Sequence, residues 1–299
     1  MPERTTARGT PGKRRALRGA LGMLLLAGAG VYAVGQFGAG REEPPHCAVT
    51  GPDGRTAFTL GHEQAASAAT IGAVGSARGL PERAVTIAIA TAMQESSLRN
   101  IDYGDRDSLG LFQQRPSMGW GSEAEVMDPV YAAGAFYERL VEVPDYASLP
   151  LTVAAQEVQR SAFPDAYAQH EERAALLAGA LTGRTAAALT CSVPVAERPA
   201  GQPREVHRRL VREFGEGVQP IGDGARLTVP LLAGEETRRG WELAHWAVAH
   251  SAELGIERIA HGNHVWEARS SGDGWRETGG DSVAGDAREV QLSVFGTTD

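Results

Sequence analysis

The sequence predicts a mainly α-helical domain behind an N-terminal transmembrane helix, followed by a small α+β domain. Three observations carry this reading. No charged residue occurs from Gly19 to Gly40; residues 58–191 break apolar runs of helical spacing with Gly, Pro and Asp; and beyond Cys191 the pattern changes to short alternating stretches.

The first 18 residues hold Arg4, Arg8, Lys13, Arg14, Arg15 and Arg18 against the single acid Glu3. The uncharged run 19–40 is long enough to cross a bilayer, for which about 20 apolar residues suffice. By the positive-inside rule the basic tail 1–18 is expected in the cytoplasm. The expected localisation is therefore a single-pass membrane protein, contacting lipid through 19–40, with both following domains extracellular. Small residues at Gly38-Ala39-Gly40 leave a cleaved signal peptide as the alternative. Residues 41–57 read as a linker.

The chain has only two cysteines among 299 residues, Cys47 and Cys191, and they bracket the helical region. In an oxidising compartment such a pair is expected to form a disulfide, with two separate buried thiols as the alternative. The closed loop is long, and the chain-entropy relation gives an upper figure of about 4–5 kcal/mol for it. Neither a Cys-x-x-Cys nor a close His pair accompanies them, so no metal and no cofactor is expected. The net charge of −8 is spread beyond the basic tail. That distribution argues against nucleic acid as a partner, and the sequence specifies no protein partner.

Helices follow in order from His62. Ala65, Ala66, Ala69, Ile71 and Val74 give the first a face of small apolar residues. Gly79 suits its left-handed exit, and Pro81 the first turn of the next. That helix, Glu82 to about Ser96, is apolar on nearly every side, which places it inside a domain. Arg99 to Ser122 is rich in Asp and Gly and is expected to be a loop over the site. Asp128-Pro129 caps a further helix; others run from about Thr152 to Ser161 and from Pro164-Asp165 to Leu181. The helical domain so defined covers 58–191.

Pro194, Pro199, Gly201 and Pro203 suggest an extended linker, 192–203. In the last domain, 204–299, Leu227, Val229 and Leu231 alternate like a strand. Gly240 to about Leu254 is amphipathic, and Ile256–Ile259 and Val290–Phe295 read as strands. The acidic, Gly-rich run Ser270–Asp286 is expected to be a mobile loop.

The chemistry is expected at Glu95, in the last turn of the apolar helix. Burial and the negative end of the helix dipole both disfavour its charged form, so its pKa is expected to rise. A carboxylic acid still protonated near neutral pH can give its proton to a glycosidic oxygen. Ser96, Gln113 and Gln114 are candidates to orient the acid or bind sugar, Gly110 to allow close backbone approach, and Leu111 with Phe112 to form a dry floor. Tyr131, Tyr137 and Tyr167 are candidates for a far wall. A second carboxylate would have to come from Asp102, Asp105 or Asp107, each of which also reads as an ordinary turn aspartate. A calcium loop there is excluded, because Leu109 and Pro116 stand at ligand positions.

Gln94-Glu95-Ser96-x-Leu98 followed by Gly110-Leu111-Phe112-Gln113 resembles the Glu-Ser and Gly-Leu-Met/Phe-Gln motifs of the soluble lytic transglycosylase family, within the lysozyme-like superfamily. The runs Asp105 to Gly119 and Ala155 to Tyr167 are similar to a version found in actinobacterial exported and wall-associated proteins. The resemblance covers roughly 58–185 and implies a lysozyme-like fold. It also implies Glu95 as catalytic acid and later base, and peptidoglycan glycan strands as substrate. The family's Ala-Tyr-Asn-x-Gly element is missing, and Tyr167 stands in that region. The implied activity is cleavage of the β-1,4 bond between N-acetylmuramic acid and N-acetylglucosamine, by the transglycosylase or the muramidase route. The alternative is a noncatalytic peptidoglycan-binding or scaffold protein that keeps the groove.

Gly240 to His250, with Leu254-Gly255-Ile256 and Trp266, faintly resembles a domain related to zinc D-Ala-D-Ala carboxypeptidases. The zinc ligands of that family are not found at the matching positions. His245 and His250 are five residues apart, off the i, i+4 spacing of helical zinc ligands. They and His261 and His264 read as core-edge or surface histidines.

Overall fold

Strand β1 (Cys47–Thr50) pairs antiparallel with β2 (Thr56–Leu60) on one side and β3 (Leu189–Cys191) on the other, giving a three-stranded sheet of order β2-β1-β3. Cys47 lies directly opposite Cys191 in this register, and the two form a disulfide. The computed structural model describes residues 44–161, 163, 165–193, 200–222, 224–279 and 285–296. Pro45–Asp299 make one compact unit.

Between β2 and β3 run α1 (His62–Ala77), α2 (Glu82–Ser96), the short α3 (Glu123–Val126), α4 (Pro129–Val141), α5 (Leu151–Gln159) and α6 (Glu171–Leu181). The small side chains of α1 are buried on nearly all sides, from Ala65 through Gly75 with Ala66 half-exposed. Small residues let neighbouring backbones come close; a Cβ on Gly72 would stand 3.1 Å from Leu181 Cβ. This is why α1 can touch α2, α4 and α6 on one side and α7 and α8 of the following region on the other.

The second region starts with α7 (Pro203–Phe214), where Val206, Leu210 and Phe214 recur every four residues on the buried face. It continues with β4 (Arg226–Pro230), α8 (Glu236–Ala249), α9 (Ser251–Leu254), β5 (Ile256–His261), β6 (His264–Glu267), β7 (Arg276–Glu277) and β8 (Glu289–Val294). These five strands form an antiparallel sheet of order β4-β8-β5-β6-β7. Helix α8 packs on that sheet through β5 and β8, and on α1, α6 and β3. Trp246 and Trp266 are fully buried in this core. Each large apolar side chain so buried contributes roughly 1.5–3 kcal/mol.

The fold is mixed α/β with two antiparallel sheets, not a mainly α domain with strands confined to the C-terminal end. Strands β1, β2 and β3 fall in stretches assigned to linker or helix end, because three to five residues give too little alternation to register. The expected membrane helix 19–40 and basic tail 1–18 lie outside the described residues. No helix of the described residues is long and apolar enough to cross a membrane. The single-pass membrane placement, with the extracellular location derived from it, is therefore withdrawn. A long uncharged run was its main support, and its several glycines and moderate apolarity weaken that signal.

His245 joins the two regions. Its Nε2 accepts the Ala188 amide at 3.1 Å and its Nδ1 donates to Ala180 O at 2.8 Å, which fixes a neutral tautomer. Burial lowers its pKa to about 4. An unfolded histidine titrates near 6.5. Above that value neither state binds the proton. As pH falls from 6.5 toward 4 only the unfolded chain does, so stability is lost across this window, by about 3 kcal/mol at its end. Denaturant unfolding of wild type and His245→Gln is expected to diverge over this range, the wild type losing more stability. Parallel pH profiles would show that His245 does not titrate as described.

Candidate active site

Glu95 stands one residue from the end of α2, where the backbone makes an unusual exit. Ser97 and Leu98 both adopt left-handed conformations, with φ of 55° and 59°. The chain turns back on itself there: Ser97 N donates to Met93 O and Leu98 N to Ala92 O. Ser96 Oγ donates to Leu111 O at 2.7 Å, tying the helix end to the Gly110–Gln113 turn. Arg106, Gln113 and Arg160, which line the same cleft as Glu95, are also left-handed. Such backbone strain in residues with side chains persists only where the surroundings hold it, and it gathers at functional sites.

The turn itself is closed by reciprocal hydrogen bonds between Leu109 and Gln114, each 3.0 Å. Gly110 has φ of 75°, and a Cβ there would meet Val126 O at 2.3 Å, so only glycine fits. Leu111 and Phe112 are fully buried, with Phe112 stacked on Phe136 at 4.8 Å between centroids. Gln114 is buried and donates to Ala132 O at 3.0 Å. Gln113 alone of the turn opens into the cleft, where its Nε2 reaches Tyr103 O and Gly110 O.

Tyr167 is buried in a 3-10 turn, Ala166–His170, and its hydroxyl donates to Glu95 Oε1 at 2.7 Å. Gln94, next to the acid, accepts from the Gln169 amide at 3.0 Å and contacts His170 Nε2 at 3.1 Å, which docks this turn on α2. The Glu95 pKa is raised, chiefly by burial; the hydrogen bonds from Tyr167 and Gln159 favour the charged form and offset part of the rise. Burial also raises the Tyr167 pKa, so the phenol remains a donor. Gln159 Nε2 is anchored on Phe112 O at 2.8 Å.

Around the acid lies a cleft of about 1160 Å³, lined by the apolar Val143, Leu149, Val153 and Val158 and by Arg115, Trp120 and Arg139. The sequence-predicted residues Glu95 and Gln113 face it. Ser96, Gly110, Leu111, Phe112 and Gln114 stand behind it as support, and Tyr167 holds the acid. Of the other tyrosines, Tyr137 is buried with its hydroxyl on Ile71 O at 2.9 Å, and Tyr131 is not among the cleft residues. Asp105 reaches the cleft, Asp102 is exposed outside it, and Asp107 holds Arg115 at 2.9 Å. The Ser117 hydroxyl and amide, followed by Arg115, keep Asp107 far below the usual carboxylate range. Asp107 is therefore a charged strut and not a proton donor.

Sequence reasoning missed Trp120, Arg139, Gln159 and Arg160. Gln159 and Arg160 lie within the Ala155 to Tyr167 run, and Trp120 is a lone tryptophan between two glycines, so these three carried a visible signal and Arg139 carried none.

Four of the five histidines of the second region sit in two clusters, and the fifth, His207, is exposed on α7. Trp241 has the rings of His245, His261, His264 and Trp275 within 5.0–5.6 Å. A Cβ on Gly240 would stand 2.1 Å from the His261 ring, so any other residue there would force that ring to move. His250 is buried 3.7 Å from Glu213, which also accepts from Trp246 Nε1 and Arg209 Nε. Burial alone would lower the His250 pKa; Glu213 overcomes this and raises it. Among the described residues no group of His, Cys, Asp or Glu is arranged to hold a metal ion.

Comparison with known proteins adds one match. Residues 204–286, the second region, fit the family model described as the VldE C-terminal domain. This covers well under half of the chain. No curated protein matches it.

Proposed function

We propose that the protein cleaves the glycan strands of peptidoglycan at the Glu95 cleft. The supporting observation is a single half-buried carboxylic acid with a raised pKa, held by Tyr167 and opening into a cleft large enough for several sugar rings. In the first step Glu95 protonates the oxygen of the β-1,4 bond to the departing sugar. As a carboxylate it then takes the proton from the C6 hydroxyl of the muramoyl unit, whose oxygen closes a 1,6-anhydro ring. This route needs one acid/base group, which suits a site where Asp107 is committed to Arg115. With water as the nucleophile the same acid would act in a muramidase.

Purified full-length protein is expected to release soluble muropeptides from peptidoglycan between pH 5 and 8, with mass spectrometry finding anhydro ends. Reducing ends would mean hydrolysis. No release by the wild type, with binding retained, would leave a noncatalytic wall-binding protein.

Tyr167 is a positioning residue under this reading. Tyr167→Phe removes a donor that favours the charged carboxylate, so the Glu95 pKa rises and the alkaline limb of kcat/KM moves to higher pH. An unmoved limb with lowered activity would reduce Tyr167 to a packing role.

A further inference from the structure

Four guanidinium groups line the Glu95 cleft, those of Arg106, Arg115, Arg139 and Arg160. Two already have carboxylates: Arg115 holds Asp107 at 2.9 Å, and Arg106 lies 3.9 Å from Asp105. Arg139 and Arg160 have none within ion-pairing reach among the described residues. They come from different elements. Arg139 lies in the last turn of α4, and Arg160 is the left-handed residue, φ 51°, that ends α5.

Arg139 is fixed in advance. It donates to Gly119 O at 2.9 Å, and its guanidinium lies 3.4 Å above the centre of the Trp120 ring. Its charge is disfavoured by burial and then by the neighbouring Arg160. Glu142 and Glu157 share the cleft but are exposed and paired with neither arginine. Glu142 favours the Arg139 charge only through space, and less than burial and Arg160 disfavour it. Two neighbouring cations with no carboxylate in contact repel each other, and an anion between them relieves that cost. The planar fork of arginine matches a carboxylate well. Phe163, 72% exposed on the same rim, offers apolar surface beside them for the face of a sugar ring.

We propose that Arg139 and Arg160 form an anion subsite that takes a carboxylate carried by the glycan, so that the cleft selects acidic over neutral strands. The inference rests on the glycan-cleaving reading of Glu95 and adds the residues that set its specificity.

Its test uses full-length Glu95→Gln protein and soluble, peptide-free strands of alternating N-acetylglucosamine and N-acetylmuramic acid. The muramic carboxylates are either free or converted to methylamides. Free-carboxylate strands are expected to bind roughly 10- to 100-fold more tightly, the worth of one or two charge-assisted hydrogen bonds. Adding Arg160→Gln should bring that ratio toward one, and Arg160→Lys should restore part of it. Arg160 is exposed, so these changes leave the core untouched. Equal affinity for both strands, or a ratio that survives Arg160→Gln and Arg139→Gln alike, overturns the subsite. If wild-type protein cleaves both strands equally well, the subsite alone has failed. If it cleaves and binds neither, the cleavage reading has failed and the subsite with it.

Discussion

Replacing Glu95 by glutamine is expected to lower muropeptide release by about 10²–10⁴-fold, the usual contribution of a positioned acid/base group. The amide keeps the shape of the side chain and can still accept from Tyr167, whose hydroxyl lies 2.7 Å from Oε1. It cannot give up a proton to the leaving sugar. Stability is expected to hold or rise slightly, because a half-buried carboxylate whose pKa is raised by burial carries a desolvation cost that an amide avoids. Activity assays beside thermal melts check both halves of this expectation. Retained release at unchanged melting temperature would remove Glu95 from the chemistry.

The largest expected effect on stability belongs to the disulfide. Cys47 and Cys191 are separated by 144 positions and sit opposite one another at the paired ends of β1 and β3, both buried. Without the bond, the unfolded chain regains the freedom of a very long loop, and two short strands are left to their backbone hydrogen bonds. Cys47→Ser with Cys191→Ser is expected to cost about 2–5 kcal/mol, a fall in Tm on the order of 10 °C. Buried hydroxyls in place of the sulfurs add to the loss. Calorimetry of the double variant measures it, and a melting point within about a degree of wild type would contradict this account.

The acid was legible in the sequence because a run such as Val85 to Met93 leaves almost no polar face, so its helix had to be internal and its terminal Glu had to meet the interior. Pro81, Gly79 and Asp128-Pro129 punctuated the chain where helices α1, α2 and α4 begin or end. Strands β1 and β3 were not legible: each is only three or four residues long, and each pairs with a segment more than a hundred residues away. Helix α7 was obscured by Pro203, which reads as linker but serves as a first-turn residue. The cleft arginines escaped for another reason. Arg139 and Arg160 lie near the ends of two ordinary amphipathic helices, where single cations are common and usually face water. Only the packing of α4 against α5 brings them to one cleft. Helical periodicity finds buried faces, and it has no means of showing which exposed residues from separate helices will meet.

Because β1 and β3 are neighbours and covalently joined, the polypeptide from 47 to 191 is a closed ring. A protease that cut once in an exposed stretch of this ring, around Asp145 for example, would leave both fragments attached to a single particle. Severing the backbone there would not by itself let the pieces drift apart; a reductant and loss of the interlocking core would also be required.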